Sequence, residues 1–454
     1  MPAANLDVLV SLAKRRGFVF GGSELYGGLQ GFWDFGPLGV ELRTNIKAAW
    51  WRSMVRLRDD IEGLDAAIIM NPRVWEASGH VSGFTDPMVD CRNCNHRFRE
   101  SDLKGPPSEI ACPDCGQRGT LTEARQFNLM FKTHVGPLEE EASVAYLRPE
   151  TAQGIFVNFA NVVTAMRRKP PFGIAQIGKS FRNEITPGNF IFRLREFEQM
   201  EMEFFVPPAD EDRWFDYWVD ERLKWWTDVI GISSERLRLR PHDADELSHY
   251  SRKTTDIEYD FPMGWSELEG IADRFDFDLN AHAVASGKAL TVYDEATGDH
   301  VVPYAIEPAM GVDRAVLTVL VDGYDEEEVA GEKRVVLRIK PSLAPVKAAV
   351  LPLLRNRPEL VEVARRLTAA LKPQVAAMYD DTASIGKLYR RQDEIGTPYC
   401  VTVDVESLTD GAATIRERDT MTQERVALEA IPGRITDLVG GAAWTGSPAA
   451  PPPE

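Results

Sequence analysis

Apolar and aromatic side chains recur at helical spacing from Leu42 to Arg58, which predicts a helix burying one stripe. It runs into Ala66–Met70, a short apolar stretch closed by Asn71-Pro72 and read as a strand. From Phe172 two strand-like runs follow, Gly173 to Arg182 and Phe190 to Phe205. The turn formers Thr186-Pro187-Gly188-Asn189 join them, which predicts an antiparallel hairpin with charges on its wet face. Residues 210–232 read as a helix whose Trp214, Trp218, Trp225 and Trp226 make a core stripe. The stretch 235–300 looks mixed, with strands, and Ala305 to Leu320 passes from strand to apolar helix.

Two segments interrupt this pattern. Residues 85–145 carry cysteines, a Gly-Pro-Pro and a run of glutamates at 139–141, and read as an insertion. Beyond a boundary near Gly331-Glu332-Lys333, strands (Val335–Ile339, Tyr399–Val405, Glu424–Leu428) alternate with helix (Leu360–Leu371), as in a compact α/β domain. The Pro/Ala-rich end, from Gly446, is expected to be disordered.

The 454 residues suffice for two or three domains. No run approaches the roughly eighteen apolar residues that a membrane span needs. The basic cluster Lys14-Arg15-Arg16 follows the first apolar stretch, the reverse of a secretory signal, so a cytoplasmic protein without membrane contact is expected. A net charge of −18 argues against a generic nucleic-acid coating protein but leaves room for a specific RNA partner. Of five cysteines, Cys400 lies in a strand-like run and reads as a core residue.

The other four form two knuckles, Cys91-x-x-Cys94 and Cys112-x-x-Cys115, the spacing of a structural four-thiolate zinc site. A second constellation is Phe181-Arg182-Asn183-Glu184, the turn, then Phe192 to Glu201. Its arginines suit a bidentate grip on phosphate, its aromatics can stack on a base, and its carboxylates can hold an ammonium. A third is Ile306-Glu307-Pro308-Ala309-Met310-Gly311-Val312-Asp313-Arg314, where small residues let a ligand approach a helix start.

These segments resemble motifs 2 and 3 of class II aminoacyl-tRNA synthetases, and the helix and strand ending at Pro72 resemble motif 1. Tyr26-Gly27-Gly28-Leu29-Gln30-Gly31-Phe32-Trp33-Asp34-Phe35-Gly36-Pro37-Leu38-Gly39, Trp75–His80 and Leu147–Phe156 are similar to signatures of glycyl-tRNA synthetases. The likeness runs to about residue 440. It implies an α+β fold: a class II antiparallel sheet flanked by helices, with a zinc-knuckle insertion and a C-terminal α/β anticodon-binding domain. The implied spans are 1–330 for the catalytic domain (insertions at about 85–145 and 220–300), 333–441 for the anticodon domain, and 442–454 for a disordered tail. It also implies a homodimer, tRNA(Gly) and glycine as partners, ATP, Mg2+ and structural zinc.

The implied reaction begins with attack of the glycine carboxylate on the α-phosphate of ATP, and the adenylate then passes glycine to the tRNA's terminal adenosine. By motif match, Arg182 holds the α-phosphate and Arg314 the γ-phosphate, Phe197 stacks on adenine and Glu184 reads its amine. Asn183, Phe192, Arg193, Leu194, Arg195, Glu196, Leu268, Gly311, Val312 and Asp313 complete the ATP set. Arg193 and Arg195 fall on opposite faces, and the sequence leaves open which meets ATP. Glu267 and Glu307 are candidates for magnesium or substrate contact. For glycine the resemblance implies Glu150, Glu198 and Glu201 at the ammonium and Arg99 at the carboxylate. Phe197, Gln199, Met200, Glu307, Pro308, Ala309, Met310 and Gly311 shape the pocket. Ala309 stands where the family leads one to expect serine, which leaves the task of that hydroxyl open. Exclusion by size suffices for the smallest amino acid, so no editing domain is expected. Arg416, Arg418, Arg425, Lys387, Arg390 and Arg391 offer positive charge for the anticodon.

Three rival readings share parts of this pattern: a proline, threonine or histidine synthetase, a non-catalytic synthetase-like subunit, and a zinc-ribbon RNA-binding protein. The N-terminal signature disfavours the first, the presence of both Arg182 and Arg314 the second, and the order of the motifs the third.

Overall fold

The computed structural model describes residues 5–140, 143–294 and 297–448. At its centre is a seven-stranded sheet of β1 (Ile61–Leu64), β2 (Phe172–Phe181), β3 (Glu196–Val206), β4 (Leu237–Pro241), β5 (Lys253–Phe261), β6 (Gly264–Phe275) and β7 (Tyr304–Gly311). The order is β4-β5-β6-β7-β3-β2-β1, antiparallel except between β1 and β2.

The longer helices of this part are α1 (Leu6–Arg16), α2 (Pro37–Trp51), α3 (Ala152–Met166), α4 (Glu211–Lys224), α5 (Phe277–Ser286) and α6 (Val312–Gly323). Helices α2, α4 and α6 bury Leu42, Ile46, Trp218 and Leu320 against Met200, Met202 and Ile306 on one sheet face. Helices α3 and α5 cover only part of the other face, where Phe156, Phe159 and Leu279 meet Ile174, Phe205 and Ala305. Beyond those contacts the sheet is open, and its uncovered part floors a cleft.

Several expectations from the sequence need correction. The strand that follows α2 is Ile61–Leu64, not Ala66–Met70. The Ala66 N–H donates to Gln176 Oε1 at 3.0 Å and its carbonyl accepts from Arg148 Nη1 at 2.8 Å, so side chains take the groups a ladder would use. Residues Phe190 to Arg195 are not strand: Asn189 and Phe190 have φ of 55° and 60°, which breaks extended pairing, and β3 begins at Glu196. The expected second insertion at 220–300 is not set apart, because its residues supply β4, β5 and β6. Gly331–Lys333 lies in an antiparallel hairpin pairing Tyr324–Val329 with Glu332–Leu337, a separate two-stranded unit between the spans of the two larger sheets. The tryptophan helix holds its stripe: Trp218, Trp225 and Trp226 are buried, and Trp214 packs against the same core.

The C-terminal sheet has β8 (Ala348–Pro352), β9 (Ala377–Tyr379), β10 (Tyr399–Val403), β11 (Ala412–Glu417) and β12 (Gln423–Ala427) in the order β9-β8-β10-β11-β12. Helices α7 (Pro358–Leu371) and α9 (Ile431–Val439) pack on one side, and α8 (Ile385–Glu394) on the other. Cys400 is buried in β10, where burial pushes its thiol up to about 12. Part of the expected disordered tail is ordered: Trp444 packs on the domain's core and its Nε1 donates to Thr422 Oγ1 at 2.6 Å. Residues 449–454 lie outside the described residues.

The two sheets are joined by buried charge. Asp393 at the end of α8 accepts from Arg334 of the hairpin at 2.8 Å and from Arg416 of β11 at 3.1 Å, and all three side chains are buried. Removing one partner of such a cluster leaves the others charged and unpaired. Asp393→Ala is therefore expected to cost about 3–5 kcal/mol. Denaturant unfolding checks this, and an unchanged midpoint would show that the cluster carries no net stability.

Candidate active site

Alternation along β3 decides what the cleft contains. Phe197, Gln199 and Glu201 point into it, whereas Met200 and Met202 point into the core. Glu196 and Glu198 also leave the cleft. Glu196 pairs with Lys179 at 2.6 Å, and Glu198 is held by Lys47 at 3.0 Å and Arg43 at 3.2 Å. On β7 the same rule puts Glu307, Ala309 and Gly311 on the cleft face, and Ile306 in the opposite core. Pro308 is buried, and Met310, though part of that core, touches the cleft edge. A bulge on β6 between the pairs Ile257–Glu269 and Glu258–Glu267 turns Leu268 into the core and Glu267 onto the cleft face.

The cleft holds about 340 Å³ and divides by charge. At one end stand Arg182, Arg193 and Arg314. Arg182 Nε donates to Pro149 O at 3.0 Å, and its guanidinium lies 5.4 Å from the Phe197 ring centre. Arg314, in the first turn of α6, covers Phe192 at 4.3 Å, donates to the Phe192 and Glu267 carbonyls, and pairs with the Glu267 carboxylate at 3.1 Å. That guanidinium holds Glu267 below the usual carboxylate range. Arg193 and Arg195 are placed differently. Arg195 donates to Glu184 O at 3.0 Å and Gln30 O at 2.8 Å, bracing two loops, whereas Arg193 lines the cleft. Glu184 lines it too, and Asn183 sits beside it, its N–H bonded to Leu129 O at 2.8 Å. Leu194 is buried at the cleft's edge. Val312 is in the core, and Asp313 caps Glu198 N at 2.9 Å.

The other end is acidic. Glu150, Glu201 and Glu307 line it, with Glu203 buried next along β3 and directly across from Glu307. A single buried guanidinium, Arg274, serves this cluster: it bonds Glu307 at 2.8 Å and Asp278 at 2.8 Å, and lies 3.9 Å from Glu150. Burial opposes ionisation of Glu150, but His80 (3.3 Å) and Arg274 outweigh it and hold its carboxyl well below the ordinary range. Glu201 forms no ion pair among the described residues, and Arg274 offsets its neighbours only in part. Burial, then Glu307 and Glu150, push it up to about 8, and it accepts from the Thr151 hydroxyl and, at 3.5 Å, from Gln199 Nε2. Burial and the neighbouring Glu307 raise Glu203 well above the usual carboxylate range. At the cleft's third side, burial raises Asp256 to about 6 while His242 Nε2 sits 2.8 Å from it.

Arg99 is not brought here. It is engaged by Asp86, with its Nε donating at 2.7 Å, within the small sheet of the cysteine insertion. Conversely, sequence reading missed Arg274, Glu203, His242 and Asp256. For Glu203 a signal existed: it stands two residues beyond Glu201 on a strand, hence on the same face. Arg274 sits at a second irregularity of β6, between Asp273 and Phe275, which no alternation rule foretells.

The four insertion cysteines converge. Their sulfurs lie within 4.8 Å of one another, with Cys91–Cys115 at 3.7 Å and Cys94–Cys112 at 3.8 Å. Thiolates about 2.3 Å from one tetrahedral zinc stand about 3.8 Å apart, so these separations match the edges of a ZnS4 tetrahedron. Both knuckles repeat one turn: Cys91 N bonds His96 O and Cys112 N bonds Gln117 O. The residue after each second cysteine is left-handed, Asn95 at φ 59° and Gly116 at φ 72°. In the C-terminal domain, Arg416 and Arg418 are buried in internal contacts, and Arg425 is paired with Asp404 and Asp410 at 2.7 Å. Arg391 meets Asp380 at 3.3 Å and Arg390 lies 3.7 Å from Asp393, while Lys387 is exposed.

Known families match both parts. The tRNA synthetase class II core domain (G, H, P, S and T) matches residues 131–323, and the anticodon binding domain matches 347–438. The glycine–tRNA ligase of Streptomyces coelicolor is 54% identical across 97% of this chain and 100% of its own length. That of Thermobifida fusca is 53% identical across 96% and 98%, and that of Geobacillus thermodenitrificans 54% across 94% and 96%. With a divided cleft on an antiparallel class II sheet and relatives matched over nearly their full length, the chain belongs to the glycyl-tRNA synthetases and ligates glycine to tRNA.

Proposed function

We propose that the two ends of the cleft divide the first step between them. The arginine end takes ATP, with Arg182 on the α-phosphate, Arg314 and Arg193 on the outer phosphates, and Phe197 against adenine. The observation that carries this is that Arg182, Arg193 and Arg314 enter the cleft from the turns and the helix start at the ends of the strands, whereas Glu201 and Glu307 stand on the sheet face itself. Oriented guanidinium donors stabilise charge developing on the phosphate oxygens and hold the reactants in line. Exposed Glu267, next to Arg314, is the carboxylate suited to Mg2+, which would neutralise phosphate charge there.

The acidic end takes glycine. Glu201, Glu150 and Glu307 surround the ammonium. Ala309, directly across from Glu201, adds no hydroxyl, and Thr151 supplies one from the other side. Arg274 fixes Glu307 for this task rather than for a metal. Gly311, Ala309 and Gln199 leave little room beyond Cα. The C-terminal domain reads the anticodon, and the cysteine cluster holds structural zinc. The same reading has the chain work as a homodimer in the cytoplasm.

ATP–pyrophosphate exchange with each amino acid in turn is expected to proceed with glycine alone, and Arg182→Ala is expected to lower it about a hundredfold or more. Exchange driven equally by alanine would overturn the pocket assignment. Because Glu201 carries its proton below about 8, the KM for glycine should fall as pH rises through that value, and Glu201→Gln should flatten the profile. A profile unchanged by the substitution would remove Glu201 from the ammonium site. Elemental analysis should find one zinc per chain, lost on Cys91→Ser together with protection of residues 85–128 against proteolysis. A chain that stays metal-free when purified with added zinc would refute the site.

A further inference from the structure

Between β4, which ends at Pro241, and β5, which begins at Lys253, the chain makes a long excursion over residues 242–252. Adjacent antiparallel strands need only about two to five residues to turn, so most of this segment serves something other than the turn. It is fastened at its base. The His242 N–H donates to Thr254 O at 2.9 Å, His242 Nε2 lies 2.8 Å from Asp256, and the Arg252 N–H donates to Asp273 O of β6 at 2.9 Å. From there it crosses the acidic end of the cleft. The His249 ring meets Phe277, at the start of α5, edge-on at 5.4 Å, and a Cβ on Gly79, beside His80, would lie 3.6 Å from His249 Nε2.

Tyr250 is the side chain that this segment lowers into the site. It lines the cleft, and its ring covers the Arg274 guanidinium at 4.0 Å. Burial pushes the phenol up to about 12; Arg274 opposes the shift, and Glu307 and Glu150 add to it. The phenol therefore stands among the carboxylates that the proposed function gives to the ammonium. The ring has no room to retreat. Arg274 lies against it, packs in turn on Phe156 at 5.4 Å, and is pinned by Glu307 and Asp278 at 2.8 Å each. A buried guanidinium held in this way cannot move aside without leaving charge unpaired.

We propose that Tyr250 sets the size limit of the amino-acid end, its ring being the wall that a side chain on the substrate's Cα would strike. The inference rests on the acidic end being the glycine site. Small residues such as Ala309 and Gly311 make room, and by themselves they cannot reject a methyl group. Rejection needs a bulky surface that does not yield, and an aromatic ring braced on a pinned guanidinium is one. A single methyl group against such a wall changes discrimination by roughly ten- to two-hundredfold.

Tyr250→Phe, Tyr250→Leu and Tyr250→Ala, in the full-length enzyme, form a series of decreasing size. ATP–pyrophosphate exchange with glycine and with alanine gives the ratio of the two kcat/KM values for each variant. The alanine-to-glycine ratio should stay near the wild-type value in Tyr250→Phe, rise in Tyr250→Leu, and rise about tenfold or more in Tyr250→Ala, through a gain with alanine. The KM for ATP should not follow the series. The proposal is overturned if the ratio stays at the wild-type value throughout, or if it rises only because exchange with glycine falls. It is equally overturned if Tyr250→Phe raises the ratio as far as Tyr250→Ala, which would assign the effect to the hydroxyl, or if the KM for ATP rises in step, which would mean that the whole cleft had loosened. Should Tyr250→Ala show no cooperative thermal transition, Tyr250→Leu decides, and a wild-type ratio there overturns the proposal. The glycine assignment itself fails separately, on the wild-type enzyme, if exchange there does not depend on glycine.

Discussion

Glu150, Glu201, Glu203, Glu307 and Asp278 crowd around the one guanidinium of Arg274, in a region where water is excluded. Like charges directly across a sheet destabilise it, and buried carboxylates without partners lose their protons reluctantly. The cluster therefore settles unevenly. Glu150, beside both His80 and Arg274, stays ionised, while Glu201 and Glu203 are pushed up by burial and by their neighbours. On the proposed reading, an incoming ammonium supplies the cation this cluster is short of, and its binding and the ionisation of Glu201 favour each other.

The sheet makes this arrangement affordable. Helices α2, α4 and α6 bury the middle of one face, so the core there does not depend on the cleft side. The opposite face is sealed by α3 and α5 only as far as Phe205 and Ala305, and the residues that follow toward Phe197 and Gly311 are free to be polar. Helix α3 begins at the cleft, so Glu150 and Thr151 reach the acids from its entry turn.

Much of this was legible in the sequence because strands announce their faces. Once β3 and β7 are read as strands, the period of two separates Glu201 from Glu198 and Ala309 from Met310. The two knuckles were equally plain, since a cysteine spacing states which residues meet. What stayed hidden has physical causes. Glu267 reaches the cleft through a bulge that reverses the alternation, and Arg274 sits at a second register shift. The bounds of the hairpin depended on left-handed Asn189 and Phe190, a conformation that neither residue type imposes. The cations of the C-terminal domain looked free in the sequence, but Arg416 and Arg418 are spent on Asp393, Ile339 and Gly396. Charge counted along a chain overstates what is available at its surface.

Those spent arginines bear on how the two sheets work together. Asp393 holds Arg334 of the hairpin that follows α6, and its neighbour Glu394 accepts from Arg16 of α1 at 2.6 Å. Helix α6 carries Arg314 at its start, and α1 leads into the loop that holds Tyr26. One end of α8 is thus fastened to chain segments that lead to Arg314 at the arginine end of the cleft and to the loop that follows α1. Of the two ion pairs Asp393–Arg334 is buried, so it holds geometry strictly because a small separation leaves charge uncompensated, while Arg16–Glu394 is half-buried. A C-terminal domain docked in this way sits at a fixed orientation to the cleft, so a rigid tRNA gripped at one end has its other end delivered to a set position. Positioning of that kind, more than any protein base, is what a reaction between a bound adenylate and a distant ribose requires.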